Sequence, residues 1–170
     1  MKHDYEFAYE RIILKPLSEE DIELLRILRN KEKQYFLTGD DITSEQQKIW
    51  YTNYLKKDND IMFKVVKKDD PDKFIGAIAV YAINFDDGIA EVGRTVIDKE
   101  KAPEKGIGME ATKAVCKFAF DILKIKKIIG EVLKNNERII KVDTRAGFVV
   151  VGDKDENTYL IEMTPETINA

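Results

Sequence analysis

Two glycines stand one residue apart where a strand-like run gives way to a helical pattern, in the segment EVGRTVIDKEKAPEKGIGMEATKAVCKF, residues 91–118. A helix N-terminus exposes about four unpaired N–H groups and roughly half a positive charge, which suits a phosphate. Glycine lets those amides approach a ligand closely. Gly106 and Gly108 therefore predict a cradle for a diphosphate, with Lys105 adding positive charge. The alternative is an ordinary turn whose glycines adopt left-handed dihedral angles.

The residues that follow the glycines argue against two common phosphate-binding loops. The nucleotide-hydrolase loop requires Lys and then Ser or Thr after its last glycine, where this chain has Met109 and Glu110. The dinucleotide fingerprint requires a third glycine, where this chain has Ala111, and a run of parallel strand–helix units. The sequence therefore favours neither of these nucleotide-binding folds.

The composition is that of an ordinary globular protein. The chain has 170 residues, with 44% hydrophobic and 35% charged residues and a formal net charge of -4. Its 28 Lys and Arg residues are spread out, so no basic stripe predicts nucleic-acid binding. The longest stretch without charge, residues 74–85, is too short for a membrane span, and no apolar signal segment stands at the start. The single Cys116 cannot form an internal disulfide, so we expect a cytoplasmic protein without membrane or nucleic-acid partners.

Hydrophobic periodicity and turn residues predict one α+β domain over residues 1–170. Two helices follow the first strand, and capping boxes begin them at Ser18 and Thr43. The turn-linked strands should pair antiparallel, whereas the strand–helix–strand unit around residues 111–122 requires a parallel crossover. The expected strands lie at residues 11–17, 61–67, 74–84, 89–97, 126–133, 148–152 and 158–163.

The ordered set of segments resembles the GCN5-related N-acetyltransferase (GNAT) family, in the branch related to ribosomal-protein N-acetyltransferases. ILKPLSEEDIELLRILRN resembles its first strand and helix, the glycine segment resembles its acetyl-CoA segment, and NNERIIKVDTRAGF resembles its closing segment. The resemblance covers nearly the whole chain. It implies a mixed, mostly antiparallel central sheet with helices on both faces and a splayed parallel strand pair.

The resemblance also implies acetyl-CoA as co-substrate and assigns its contacts. Main-chain amides of the glycine loop would hold the diphosphate, and the end of the preceding strand would bond the pantetheine arm. Pro103 replaces the Arg or Gln that usually begins this loop, which removes a side chain but no amide. Asn136 would contact the cofactor arm, cap the next helix, or do both. The implied cofactor-binding residues are Thr95, Val96, Ile97, Glu104, Lys105, Gly106, Ile107, Gly108, Met109 and Asn136.

The implied reaction is acyl transfer from a thioester to an amine. An alkyl amine, with a pKa of about 10.4, must lose a proton before it attacks. Glu91 is the candidate base; it could instead face solvent or pair with Arg94. A strand amide near Val96 would stabilise the developing oxyanion. Asp143 stands where many relatives have a tyrosine acid, so it has a raised pKa, binds the amine, or leaves protonation to water.

The acceptor is the least defined part of the prediction. The segment LRNKEKQYFLTGDDITSEQQKIWYTNYL resembles relatives that acetylate amines on nucleotide-linked sugars, and its candidate contacts are Arg29, Asn30, Tyr35, Phe36 and Trp50. Core packing is the alternative for the aromatic residues. We therefore expect an N-acetyltransferase acting on a primary amine of a small molecule or a protein N-terminus, without a metal. A catalytically silent acyl-CoA-binding module is the alternative, and whether the chain forms a homodimer stays open.

Overall fold

The computed structural model describes residues 1–33 and 39–168. In these residues eight strands form one sheet in the order β1-β2-β3-β4-β5-β6-β8-β7. The strands are Phe7–Tyr9 (β1), Ile12–Pro16 (β2), Ile61–Lys67 (β3), Gly76–Asn84 (β4), Ile89–Ile97 (β5), Lys127–Leu133 (β6), Val149–Asp153 (β7) and Thr158–Met163 (β8). The helices are Ile22–Lys31 (α1), Ser44–Leu55 (α2), Ile107–Asp121 (α3), Glu137–Ala146 (α4) and Pro165–Ile168 (α5), and a 3-10 turn at Glu19–Asp21 precedes α1.

Neighbouring strands run antiparallel except β5 and β6, which are parallel and are connected through α3. This arrangement confirms the predicted mixed sheet with one parallel pair. Strand β1 and helix α5 were not predicted. Both are very short, and periodicity carries little information over three or four residues.

The sheet is covered by helices on both faces, as predicted. Side chains alternate along β4, because successive residues of a strand point to opposite faces. Ile78 and Val80 pack with α3 in the larger core, where Phe118 meets Phe63 edge to face at 4.9 Å between ring centroids. Ala77 and Ala79 pack with α1 and α2 in the smaller core. We call the side that α1 and α2 cover the acceptor face.

Both predicted capping boxes are present. The Thr43 hydroxyl accepts from the Gln46 N–H at 3.2 Å, and the Gln46 side chain accepts from the Thr43 N–H at 2.8 Å. At the other box, the Ser18 N–H donates to the Asp21 carboxylate at 2.9 Å. The reciprocal bonds at Thr43 satisfy donors that a helix start would leave unpaired, so they set where α2 begins. The Ser18 bond fixes the start of the 3-10 turn before α1.

Two bulges interrupt the pairing of β4 with β5. The register shifts between Tyr81 and Asn84, where Ala82 has a φ of 48°, and again between Ala77 and Ala79. The second shift leaves an extra residue in β5, where Arg94 has a φ of 55°. Left-handed conformations at residues other than glycine are uncommon, and bulges of this kind redirect a side chain. The Arg94 bulge lies beside the opening between β5 and β6.

Within residues 1–33 and 39–168, no helix combines the length and apolarity that crossing a membrane requires. The same part of the chain contains no group of three or more His, Cys, Asp or Glu side chains suited to holding a metal ion.

Candidate active site

The central feature of the candidate site is a gap between β5 and β6. The two strands pair only from Ile89 with Lys127 to Glu91 with Ile129, although both strands continue beyond that point. On its other side, the end of β5 stays paired with β4. The parallel pair is therefore splayed, and one edge of β5 lies open after Glu91.

The last residues of β5 direct their main-chain N–H and C=O groups alternately toward the gap and toward β4. The Asp98 N–H donates to the Ile75 carbonyl at 2.8 Å, on the β4 side. Because N–H and C=O groups alternate sides along a strand, Val96 also faces β4. Thr95 and Ile97 therefore present their main-chain groups to the gap. Of the three residues assigned to the pantetheine arm, Val96 has its main chain on the opposite side, and its side chain lines a cavity on the acceptor face.

The glycine loop ends in a helix start that has free amides. Gly106 precedes α3 with a φ of 92°, and the Glu110 N–H is the first to bond back, to the Gly106 carbonyl at 2.9 Å. The N–H groups of Ile107, Gly108 and Met109 therefore have no acceptor within the helix. This is the amide arrangement that a diphosphate requires.

The two glycines serve different purposes. Gly106 is left-handed, so a residue with a side chain would be strained there. Gly108 is not left-handed, and a Cβ at its position would meet only Ile97 Cγ1, at 3.9 Å. The fold itself does not require a glycine at position 108, where helix propensity disfavours it by about 1 kcal/mol relative to alanine. Its place in a ligand cradle stays a prediction.

Side chains anchor the loop from behind. Arg11 Nη2 donates to the Lys105 carbonyl at 2.9 Å, and Arg11 Nε donates to the Glu110 carboxylate at 2.7 Å. Lys67 Nζ bonds the Glu104 carboxylate at 2.7 Å and thereby lowers the pKa of Glu104. A negative charge at Glu104 would repel a diphosphate, and Lys67 offsets that charge.

Asn136 is the N-cap of α4, where its side-chain oxygen accepts from the Ile139 N–H at 3.2 Å. It also lines an open groove at the start of α4, whose basic members are Arg138, Lys141 and Arg145. The capping role expected of Asn136 is thus present. Its contact with a cofactor stays a prediction.

Glu91 lies in β5 at the last parallel pair, with Tyr81 of β4 directly opposite on the same face. Burial, and next the Glu91 carboxylate, raises the pKa of Tyr81. Arg94 pairs with Asp60, the residue immediately before β3. The Arg94 Nη1 donates to both Asp60 carboxylate oxygens, at 2.9 and 3.0 Å. The sequence had suggested Glu91 as an alternative partner for Arg94, but Asp60 takes that place because the bulge directs Arg94 toward β3.

A cavity of 530 Å³ opens on the acceptor face, between α1, α2 and the ends of β3 and β5. Its lining is mixed in charge and includes an aromatic ring. We call it the acceptor cavity, and its lining residues are Leu25, Arg29, Asp40, Asp41, Ile42, Gln46, Gln47, Trp50, Met62, Arg94 and Val96.

Two of the residues proposed to contact the acceptor lie in this cavity. Arg29 lines it and donates from Nη1 to the Asp40 carbonyl at 2.6 Å, and Trp50 lines it while stacking on Tyr54 at 5.5 Å. Asn30 is used differently, because its side chain bonds both the carbonyl and the N–H of Ile42, at 2.8 and 2.9 Å. Asn30 therefore holds the segment before α2, and its contact with an acceptor stays a prediction. The predicted contacts at residues 35 and 36 lie outside the described residues.

Asp143 lies half-buried in α4, and desolvation raises its pKa to about 6. Its side chain has no hydrogen-bond partner within the described part of the chain. The Asp143 carboxylate and, above all, burial raise the pKa of the Cys116 thiol in α3. The raised pKa is one of the alternatives that the sequence left open for Asp143; its role in catalysis stays a prediction.

Comparison with known proteins decides the family. The family model described as "Acetyltransferase (GNAT) domain" matches residues 11–149. The chain belongs to the GNAT acetyltransferase family. It is therefore an acetyltransferase, and acetyl-CoA is its co-substrate. No curated protein matches the sequence.

Solved structures share the fold at low sequence identity. Apo FdhC, a nucleotide-linked sugar GNAT, is 18% identical with a TM-score of 0.84, covering 98% of this chain and 94% of its own. Spermidine N-acetyltransferase from Vibrio cholerae, solved with CoA and spermine, is 18% identical with a TM-score of 0.78, covering 94% and 99%. A domain from Methanocaldococcus jannaschii is 21% identical with a TM-score of 0.72, covering 91% and 98%. These likenesses concern the fold.

The sequence did not indicate several residues that lie beside the gap and the acceptor cavity. Asp60 and Tyr81 carry no motif, and Arg94 was considered only as an ion-pair partner of Glu91. Tyr81 could have been found by counting back from the hairpin at residues 85–88, but the bulge at Ala82 shifts that count by one residue. A one-residue error turns every side chain of a strand to the wrong face.

Proposed function

We propose that this GNAT protein transfers the acetyl group of acetyl-CoA to the primary amine of a small polar acceptor, with amino sugars as the leading class. The observation that carries this proposal is the acceptor cavity, which combines arginines, aspartates and a tryptophan beside the open end of β5. Residues 1–170 would act as one domain. A cytoplasmic location, the ribosomal-protein branch and a homodimer stay predictions from the sequence.

The diphosphate of acetyl-CoA would bind the amides of Ile107, Gly108 and Met109, with Glu104, Lys105 and Gly106 completing the loop. The pantetheine arm would lie in the gap and bond the main chain of Thr95 and Ile97. The free amides and the open strand edge support this proposal because a thioester arm offers the amide groups that such an edge lacks. The basic groove around Asn136 would attract the remaining phosphate charge.

The chemistry would begin with loss of a proton from the amine to Glu91, directly or through water. The neutral amine then attacks the thioester carbonyl, and an amide of β5 stabilises the negative charge on the carbonyl oxygen. Thr95 and Ile97 supply the candidate amides, because their main chain faces the gap at the end of β5. The nitrogen passes its extra proton to water as the C–S bond breaks. The coenzyme leaves as a thiolate, and Asp143, whose pKa burial raises to about 6, is the candidate proton donor.

The charges of the acceptor cavity favour an acceptor with oxygen-rich or anionic groups. Asp60 engages only Nη1 of Arg94 among the described residues, so Nε and Nη2 remain able to donate to a ligand oxygen. Trp50 offers an apolar surface on which a sugar ring or a base can stack. The FdhC likeness supports the same class, since that protein is described as a nucleotide-linked sugar GNAT.

A polyamine is the second candidate. Solved neighbours include spermidine N-acetyltransferases, and Asp40 and Asp41 line the cavity with carboxylates that suit ammonium groups. The arginines argue against it, because Arg29 and Arg94 would repel a polycation in the same cavity. An amino sugar carries one ammonium group instead of several, so it meets less repulsion.

The test is release of free coenzyme A thiol from acetyl-CoA with a panel of amines. The panel contains amino sugars, nucleotide-linked amino sugars, spermidine and peptides with a free N-terminus. We expect the highest kcat/KM for an amino-sugar member, and we expect Arg94→Met to lower it by raising KM for that acceptor. Turnover of spermidine or a peptide alone would overturn the acceptor class. Acetyl-CoA binding without turnover of any amine would favour a silent acyl-CoA-binding module.

A further inference from the structure

Tyr81 lies at the open end of the parallel strand pair, on the acceptor face. It is the cross-strand partner of Glu91, and side chains of directly paired residues lie side by side on one face. Its ring extends along β5 toward Gly93, where a Cβ would lie only 3.3 Å from the Tyr81 hydroxyl oxygen. The missing side chain at Gly93 leaves room for this hydroxyl. The phenol therefore spans the stretch of β5 where pairing with β6 has just ended.

Arg94 and Asp60 hold the ring in this position. The Arg94 guanidinium carbon lies 4.3 Å from the centre of the Tyr81 ring, in cation–π geometry. Asp60, which is 2% exposed, accepts from Arg94 Nη1 at 2.9 and 3.0 Å and from Lys57 Nζ at 3.0 Å. A nearly buried carboxylate thus fixes the arginine, and the arginine covers the phenol.

The bulge makes this contact possible. In a regular strand, residue 94 would point away from the face that Glu91 and Gly93 share, because side chains alternate. The left-handed conformation of Arg94, with a φ of 55°, breaks the alternation and turns its side chain toward Tyr81 and Met62. A strained residue that joins a buried acid to a ring beside the candidate base indicates a site in which geometry matters.

We propose that Tyr81 is a positioning residue for the acetyl-transfer reaction, whose hydroxyl donates to the Glu91 carboxylate and fixes it toward the amine, while the Asp60–Arg94 pair immobilises the phenol ring. This inference rests on the proposed role of Glu91 as the base. It assigns a role to side chains of β4, β5 and the residue before β3, which are not among the residues assigned to the cofactor.

The charged groups around Glu91 are consistent with a donor role for Tyr81. Burial first, and then the Glu91 carboxylate, raises the pKa of Tyr81, so the phenol keeps its proton and stays a donor. The Arg94 charge lowers the pKa of Tyr81, whereas the Asp60 charge raises it, as Glu91 does. Lys154, in the turn between β7 and β8, bonds Glu131 of β6 at 2.6 Å. Glu131 first, and to a smaller extent Glu91, raises the pKa of Lys154.

The first experiment compares Tyr81→Phe with Tyr159→Phe in steady-state kinetics. Tyr159 is a matched control because its ring also lies under a cation, Lys134 Nζ at 5.0 Å, but it stands in β8 and faces the main core. We expect Tyr81→Phe to lower kcat roughly tenfold with KM for acetyl-CoA unchanged, since a hydrogen bond to a charged group is lost. We also expect the acid limb of its pH profile to move to higher pH, because a carboxylate without its donor takes up a proton more readily. Tyr159→Phe should change neither.

The second experiment does not depend on turnover. Tyrosine labelled with ¹³C at Cζ gives one signal per ring, and the Tyr81 signal is the one that Tyr81→Phe lacks. In the otherwise unchanged protein we expect this signal to move with pH as the Glu91 carboxyl gains its proton, and we expect Glu91→Gln to abolish that movement. Arg94→Lys should broaden the Tyr81 signal, since an ammonium lacks the planar face that covers the ring.

The outcomes separate the positioning role from the proposed function. Wild-type kcat and pH profile in Tyr81→Phe, or a Tyr81 signal that ignores Glu91→Gln, would overturn the positioning role. If no amine is acetylated, the proposed function fails on its own, and the labelled signal still decides whether Tyr81 and Glu91 form a unit.

Discussion

The two sides of the gap are built in different ways. The cofactor side consists mainly of backbone: unpaired amides at the start of α3 and an open edge of β5. The acceptor side consists of side chains from α1, α2, β3, β4 and β5, arranged around Arg94 and Asp60. Backbone sites tolerate most substitutions that keep the space open, whereas side-chain sites depend on individual residues. The co-substrate side can therefore stay constant in a fold while the acceptor side changes.

The largest expected effect is on the cofactor side. Gly108→Glu should abolish the rise in melting temperature that acetyl-CoA produces, because a side chain and a negative charge would fill the space for the diphosphate. Gly108→Ala is the matched control, since a Cβ there meets only Ile97 Cγ1 at 3.9 Å and the fold should persist. A thermal shift that survives Gly108→Glu would contradict the backbone cradle.

Glu91→Gln tests the acceptor side without touching the cradle. We expect kcat to fall by about a hundredfold, the lower end of the range for general-base catalysis, with the greatest loss at low pH, where more of the amine is protonated. The thermal shift with acetyl-CoA should remain, because Glu91 lies before the open edge of β5 begins. Unchanged turnover would remove Glu91 from the mechanism.

Asp60→Asn tests whether the side-chain network contributes to folding. Loss of the carboxylate leaves Arg94 and Lys57 without their shared partner, and we expect unfolding in urea to cost about 2 kcal/mol less. Asp58→Asn is the control, since that residue is exposed. The acetyl-CoA shift, measured relative to each variant, should be unaffected. An equal loss in both variants would contradict the special role of Asp60.

The smallest expected effect concerns Asp143 and pH. Burial raises its pKa to about 6, so the folded protein binds this proton more tightly than the unfolded chain does. The carboxyl therefore contributes stability that is fully present below about pH 4 and is lost as pH rises through 6. Asp143→Asn should match the wild type near pH 4 and be more stable by about 1 kcal/mol at pH 8, a value reduced for partial solvent screening. Parallel stability curves in urea at the two pH values would contradict this assignment.

The same contrast explains what could be predicted from the sequence. Periodicity and caps identified the long elements, and the pair Gly106 and Gly108 indicated the helix start, because backbone geometry leaves local marks in sequence. Asp60, Tyr81 and Arg94 left none, since their contacts join residues up to 34 positions apart through a bulge. Asn30 is predicted to contact the acceptor from the resemblance of its segment to relatives, and the structure shows that its side chain also bonds the main chain of Ile42. Residue type alone does not distinguish these two uses.

The unpaired stretch between β5 and β6 also has a thermodynamic consequence. A co-substrate that lies along these edges supplies hydrogen bonds that an additional strand would make, and it can do so only in the folded protein. A ligand at a hundred times its dissociation constant adds about 2.7 kcal/mol to the free energy of unfolding. We therefore expect acetyl-CoA to slow digestion of this enzyme by proteases.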